Sequence, residues 1–267
     1  MTTLAQEQVW CSSTPKRSHG DDTAGVKSVG SALDVLECFA TDGELGVSDI
    51  ARRLGVAKST AHRLLQTLTS RGFVEQRPDT GLYRLGIHLY ELGELALARN
   101  ALRHHALPHL RQVVATTGLT TNLSVSDGPD IVFIERIENS DGVRMLGNFG
   151  RRLPAHTTSS GKAIAAFDPA ADLARRRAGF PPRVSRTVRT EADWVRCLEG
   201  VRRVGFASST SESFDGASSV AVPVVVHRRA VAAISVFGPT EVIAPRVDRL
   251  VPVLTAAARR ISLAHAG

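Results

Sequence analysis

Six side chains with hydrogen-bonding groups recur on the outer side of one helical period: Lys58, Ser59, Thr60, His62, Arg63 and Gln66. Ala61, Leu64, Leu65 and Leu68 fall on the opposite, inward side. Guanidinium, amide and hydroxyl groups on one helix face are suited to base edges and phosphates. The surrounding charge agrees. From Ile50 to Val74 there are five basic residues (Arg52, Arg53, Lys58, Arg63 and Arg71) and no acidic one, whereas Asp34, Glu37, Asp42 and Glu44 precede that stretch. A surface facing a duplex needs such a separation, because phosphate contacts supply much of the affinity. Arg77 and Arg84 flank a Pro-Asp-Thr-Gly turn, where they are placed to reach backbone or minor groove. Ser48 is read as the N-cap of a short helix and as a further hydroxyl on the same surface. The net charge of +7 over 267 residues also favours an acidic partner.

A second cluster, TTSSGKA, starts at Thr157. If a helix begins near Ser159, its unpaired N–H groups and the serine hydroxyls form an anion site, and a carboxylate is a natural occupant. The alternative is that Ser159 only caps the helix. The segment is not a nucleotide-binding P-loop: no glycine stands five residues before Gly161, and Ala163 replaces the required Ser or Thr. The chain has neither a GxSxG elbow nor an HExxH pair, so no hydrolytic or zinc-protease chemistry is indicated. His104, His105 and His109 lie close together without a nearby carboxylate or cysteine, and they read as helix-surface histidines rather than metal ligands. His156 reads as a structural hydrogen-bonder rather than a general base. Cys11, Cys38 and Cys197 are too far apart for a metal knuckle. No metal and no cofactor are expected.

These groups need elements to position them. Residues 1–25 are polar and aperiodic and read as a disordered tail, without the apolar run of a signal peptide. Residues 26–40 read as a helix with Val29, Ala32, Leu33, Leu36 and Phe39 inward. Residues 49–54 and 58–71 form two further helices. Ala51 allows these two to cross closely, Gly55 supplies the tight turn, and Gly72 ends the second. Ile50, Leu54, Val56, Ala61 and Leu64 supply their shared core. The segments FVEQR and LYRLG form a hairpin that follows as a wing. Together these predict a winged helix-turn-helix over residues 26–86. A helical hairpin used only for protein contact, with solvated arginines, is the alternative. Residues 86–102 read as one helix, with 87–102 a linker that also pairs subunits. Beyond it, 103–267 is expected to mix helices and strands as an α+β domain with an antiparallel sheet. A helix is expected over residues 106–117, with Pro108 in its first turn. Strands are expected at TNLSVS and IVFIERI and over residues 143–148, with a hairpin at 220–226 and 231–237. Short helices are expected over 161–167 and 192–203, and a closing helix over 242–264. Trp194 reads as core and the Arg175–Arg177 run as a solvated helix face. No stretch of 18 apolar residues occurs, so no membrane span and a cytoplasmic location are expected.

With these motifs in hand, the chain resembles the IclR family of regulators from Val26 to its C-terminus. VKSVGSALDVLECF, GVSDIARRLGVAKSTAHRLLQTLTSRGFV and GLYRLG resemble the family's DNA-binding domain. FGRRLPAHTTSSGKAIAAF, AAISVFGP and VGFASSTSESFDGASSVAVPVV, with Glu212, Gly216, Ala221 and Pro223, resemble its effector domain. The resemblance implies a GAF-like effector domain, a homodimer or homotetramer, and a small organic or aromatic acid as ligand. By matching positions, it implies a pocket drawn from Ser159, Ser160, Gly161, Ser219, Ser235 and Phe237, with Val143, Met145, Leu146 and Leu153 as apolar walls. Relative to glyoxylate-responsive members, Ser219 stands for a thiol, Ser209 for an acid and Phe237 for a serine, which implies a different, bulkier ligand. The expected function is a repressor, rather than an activator, on a double-stranded operator. Near-palindromic half-sites spaced by turns of ~10 bp would suit a dimer. Two other readings stay open at this point: an enzyme with an accessory DNA-binding head, and a constitutive architectural binder that senses nothing.

Overall fold

The computed structural model describes residues 26–40, 42–138 and 152–266. The chain divides into two compact units, with the boundary between Ala96 and Leu97.

The first unit opens with α1 (Lys27–Cys38), α2 (Val47–Leu54) and α3 (Lys58–Ser70), followed by the hairpin β1 (Val74–Gln76) and β2 (Tyr83–Leu85) and by α4 (Ile87–Ala98). Val35, Phe39, Ile50, Ala61, Leu65, Val74 and Tyr83 close one core. Each fully buried Ile or Leu there contributes about 1.5–3 kcal/mol of transfer free energy. Gly55 ends α2 in the left-handed region at φ 65°. The next N–H, of Val56, returns to the Ala51 carbonyl at 3.1 Å, which turns the chain sharply into α3. Gly72 ends α3 in the same way, at φ 75°, with Phe73 N–H on the Leu68 carbonyl at 3.0 Å. The wing carries a third short pairing, Leu45 with Tyr83.

Three expectations for this unit are corrected. On α1 Ala32, Leu36 and Phe39 face the core as expected, but Val29 and Leu33 are more than half exposed and Val35 is buried in their place. Ser48 is not a cap: α2 starts two residues earlier than expected, at Val47, with Gly46 at the N-cap. The helix over residues 86–102 is two helices. Asn100 adopts an extended backbone and its side chain accepts the Arg103 N–H at 2.9 Å, so it stops α4 and caps α5 (Ala101–Thr117). Pro108 consequently lies inside α5 rather than in its first turn.

The second unit is built on one antiparallel sheet. Its strands are β3 (Thr120–Asp127), β4 (Asp130–Ile137), β5 (Arg152–Pro154), β6 (Ala207–Thr210), β7 (Ala217–Val226) and β8 (Arg229–Pro239), in the order β5-β4-β3-β8-β7-β6. The strands expected at TNLSVS and IVFIERI are β3 and β4, and the expected hairpin is β7–β8. The strand expected over residues 143–148 lies outside the described residues, as does the tail. Between β5 and β6 come α6 (Ser159–Ala165), α7 (Pro169–Ala178) and α8 (Glu191–Val204); α9 (Thr240–Ile243) and α10 (Val247–Ala266) follow β8. The closing helix is therefore broken near Ala244–Arg246 by a 3-10 turn.

Strand alternation separates two cores. Leu123, Val220, Val222, Ile234 and Val236 pack with α5 and α10 on one face. Ile131, Phe133, Ala221 and Ala233 pack with α6 and with Trp194 and Leu198 of α8 on the other. Trp194 is fully buried, as expected, and its indole N–H donates to Asp172 at 2.8 Å. Arg175 corrects the solvated-run reading: it is buried and donates to the Pro129 carbonyl at 3.1 Å, with Asp130 at 3.8 Å.

Candidate functional site

The periodicity of α3 places Lys58, Ser59, Thr60, His62, Arg63 and Gln66 in solvent while Ala61, Leu65 and Leu68 are buried. Ser48 is exposed on the first turn of α2. The basic residues are not equally available. Arg52 pairs with Asp49 at 2.7 Å, and Arg53 turns back to Asp42 at 2.5 Å and to the Cys38 carbonyl at 3.0 Å. On the wing Arg77 holds Asp79 at 2.6 Å and Glu44 at 3.4 Å, and Arg84 pairs with Glu75. Hydrogen bonds from Arg77 hold the Asp79 carboxyl below its ordinary range. Exposed pairs of this kind are worth at most about 1 kcal/mol, so a phosphate can displace the carboxylate. Among the described residues Lys58, Arg63 and Arg71 form no ion pair, and the first two stand on the outward strip of α3.

In the second unit, α6 lies against β7 and β8 and forms one wall of a cavity of about 40 Å³. Ser159 and Ser219 share a hydrogen bond at 2.7 Å, and Ser160 donates to Ser235 at 3.1 Å. These four hydroxyls, with Leu153 and Phe237, line the cavity as the resemblance implied. Val143, Met145 and Leu146 lie outside the described residues. Gly161 does not line it. A Cβ on Gly161 would stand 2.2 Å from the Ala155 carbonyl oxygen, so this glycine permits close packing on the turn Ala155–Thr157. The N-cap of α6 is Thr158, not Ser159, and its hydroxyl accepts the Gly161 N–H at 2.9 Å. This corrects the alternative in which Ser159 caps the helix.

Sequence reasoning missed Asn122, Phe133, Arg136, Ser213 and Phe214, which also line the cavity. Ser213 and Phe214 sit in the loop between β6 and β7, which is anchored from several sides. The Ser213 hydroxyl donates to the Thr157 carbonyl at 2.5 Å, and Ser209 donates to the same oxygen at 3.1 Å. Below the loop, the buried Lys162 ammonium holds both Glu212 oxygens at 2.5 and 2.6 Å. Outside it, the Thr187 hydroxyl donates to the Glu212 carbonyl at 2.8 Å.

The remaining candidates for chemistry are structural. His156 is fully buried, with Nε2 3.1 Å from the Pro181 carbonyl, and burial pushes its pKa down to about 4. It is therefore neutral at pH 7 and donates to that carbonyl. Of the three neighbouring histidines on α5, His105 packs edge-on against His265 at 5.7 Å between ring centroids. Among the described residues no group of three or more His, Cys, Asp or Glu is arranged to hold a metal ion. Burial pushes the Cys197 thiol up, which disfavours a reactive thiolate. No helix among the described residues is long and apolar enough to cross a membrane.

Comparison with known proteins agrees with both halves of this geometry. The family model "IclR helix-turn-helix domain" matches residues 28–78, and "Bacterial transcriptional regulator IclR C-terminal" matches residues 94–263. The chain is 35% identical over 214 residues to the HTH-type transcriptional regulator XynR of Escherichia coli K12, covering 79% of this chain and 85% of that protein. It superposes on the crystal structure of an IclR transcriptional regulator from Alicyclobacillus acidocaldarius with a TM-score of 0.80 at 32% identity, covering 91% of this chain and 100% of the other. An IclR homolog from Microbacterium hydrocarbonoxydans, solved in complex with 4-hydroxybenzoate, superposes with a TM-score of 0.76 at 30% identity over 89% of this chain and 98% of the other. An exposed polar strip on a helix-turn-helix and a serine-lined cavity on a separate antiparallel sheet thus occur where two domain models of one family match, and this chain belongs to the IclR family of transcriptional regulators, not to a family of enzymes.

Proposed function

We propose that the protein is a cytoplasmic repressor whose grip on a specific operator is changed by a small organic or aromatic acid in the cavity of its second unit. In this reading residues 26–86 are the DNA-binding head, 87–102 the connector and 103–267 the effector domain. The observation that carries the DNA half is the outward strip of α3, where Lys58 and Arg63 are unpaired by any described carboxylate and flanked by Ser59, His62 and Gln66. The 4-hydroxybenzoate complex of a relative with the same fold supports an acid as effector. A homodimer, or a tetramer built from it, is favoured by α4. This helix has no buried residue and exposes Ile87, Tyr90, Leu92 and Leu95. Two heads so joined would read half-sites on one side of the duplex.

The test is equilibrium binding to DNA selected from random sequence, with the selected site then titrated across salt. Saturable binding that weakens as salt rises is expected, because each phosphate contact releases counterions. Arg63→Ala is expected to lose about 1–3 kcal/mol on the selected site. Failure to select any site, or a mutant within twofold of wild type, would remove α3 as the recognition helix.

A further inference from the structure

The wing, expected to add cations to the DNA-facing surface, carries no surplus of them. The β1–β2 register sets Glu75 opposite Arg84, and the two side chains form an ion pair. Arg77 follows β1, and the turn towards β2 brings Asp79 back onto it: Nε donates to Oδ1 at 3.0 Å and Nη2 to Oδ2 at 2.6 Å. A guanidinium grips a phosphate through the same two-point fork, so Arg77 cannot hold both at once. A second carboxylate reaches Arg77 from another part of the chain. The Leu45 N–H donates to the Tyr83 carbonyl and the Tyr83 N–H to the Leu45 carbonyl, each at 2.9 Å. This bridge lays the preceding residue, Glu44, beside the wing, 3.4 Å from Arg77 Nη1. Backbone pairing fixes these neighbours, so they stay close when a side chain changes rotamer. Two cations thus face three carboxylates, a net charge of −1. On α3, by contrast, Lys58 and Arg63 are exposed and form no ion pair among the described residues.

We propose that Glu44, Glu75 and Asp79 are a brake on phosphate binding by the wing: they occupy Arg77 and Arg84, lower affinity for duplex DNA of any sequence, and leave sequence discrimination to α3. The proposal rests on the DNA-binding reading above. A phosphate takes either arginine only by displacing a carboxylate. The displaced carboxylate remains well within a Debye length of that phosphate and repels it. Contacts to phosphate position the protein without reading sequence, so removing the brake strengthens binding to random and selected DNA alike. A weaker grip also leaves an effector of modest coupling energy able to release the operator.

The experiment is fluorescence anisotropy of the full-length protein on a random-sequence duplex, from low salt upwards. The variants are Asp79→Asn, Glu44→Gln, Glu75→Gln and the double variant Glu44→Gln, Asp79→Asn. Asparagine suits the turn that Asp79 occupies, and each amide keeps the size of the side chain it replaces. The double variant is expected to bind about 3- to 10-fold more tightly than wild type at low salt, with log affinity falling more steeply against log salt by about 1. Adding Arg77→Ala to it is expected to remove the gain. Thermal midpoints report folding, and Glu75→Gln, which releases Arg84 instead, carries the test if a change near the turn unfolds the head. Folded variants that bind no more tightly than wild type would overturn the proposal, because carboxylates that only stiffen the wing give that result. A gain that survives Arg77→Ala would overturn it too. Wild-type binding without a gain in the variants removes the brake alone; no binding by any of these proteins would remove the DNA-binding reading with it.

Discussion

Gly161→Ala is expected to destabilise the effector unit by about 3 kcal/mol, lowering its thermal midpoint by about 6–12 °C. The added methyl would stand 2.2 Å from the Ala155 carbonyl oxygen and 2.4 Å from the Ala155 Cα. Both are backbone atoms, held by the Thr158 N–H to Ala155 bond and by the Ala155 N–H to the Pro129 carbonyl, so no side chain can rotate away to make room. Intrinsic helix propensity points the other way, since Gly to Ala inside a helix gains up to about 1 kcal/mol. The sign thus reports packing alone. At Gly200, inside α8, an added methyl would meet nothing within 4 Å, and Gly200→Ala is expected to raise the midpoint slightly. Scanning calorimetry of both variants checks the pair. Similar midpoints for the two would mean that α6 does not sit tightly on the turn before it.

Glu212→Gln is expected to cost about 3–5 kcal/mol, because it leaves the Lys162 ammonium buried without a counter-charge. Lys162 is 4% exposed, and its other polar contact is the Ser208 carbonyl at 3.4 Å. The double variant Lys162→Met, Glu212→Leu removes both charges and is expected to recover most of the loss, since apolar pairs often replace buried ion pairs without net cost. Urea denaturation of the wild type, the single variant and the double variant decides this. A double variant as unstable as the single one would show that shape, not an orphaned charge, is at stake. The loop that carries Glu212 also carries Ser213 and Phe214, so the single variant should lose acid binding more than DNA binding.

Short-range signals made the head legible. The inward period of α3, the left-handed glycines 55 and 72 and the turn before Gly81 are each decided within a few residues. Strand pairs joined by tight turns, β3–β4 and β7–β8, were legible for the same reason. What failed depends on distant partners or on a single local exception. The order of the sheet, with β3 beside β8, is settled by contacts more than a hundred residues apart. Arg175 looks solvated within its basic run, because its acceptor, the Pro129 carbonyl, lies 46 residues away. Arg136 was hidden by one bulged residue, which reverses the alternation that sequence reading relies on. Asn100 carried a visible capping signal that the apolar run around it outweighed. Of the expected cavity, the serines and Phe237 were reached through family resemblance, whereas the cation and two of its aromatic walls came only from the fold.

Acid binding in one unit is expected to change DNA binding by the other. The most direct test is operator affinity measured with and without a bound monocarboxylate, in the wild type. A shift of about 5- to 150-fold in the wild type is predicted, with the operator changing acid affinity by the same factor as linkage requires. An acid that demonstrably fills the cavity while operator affinity stays unchanged would contradict the coupling of the two units.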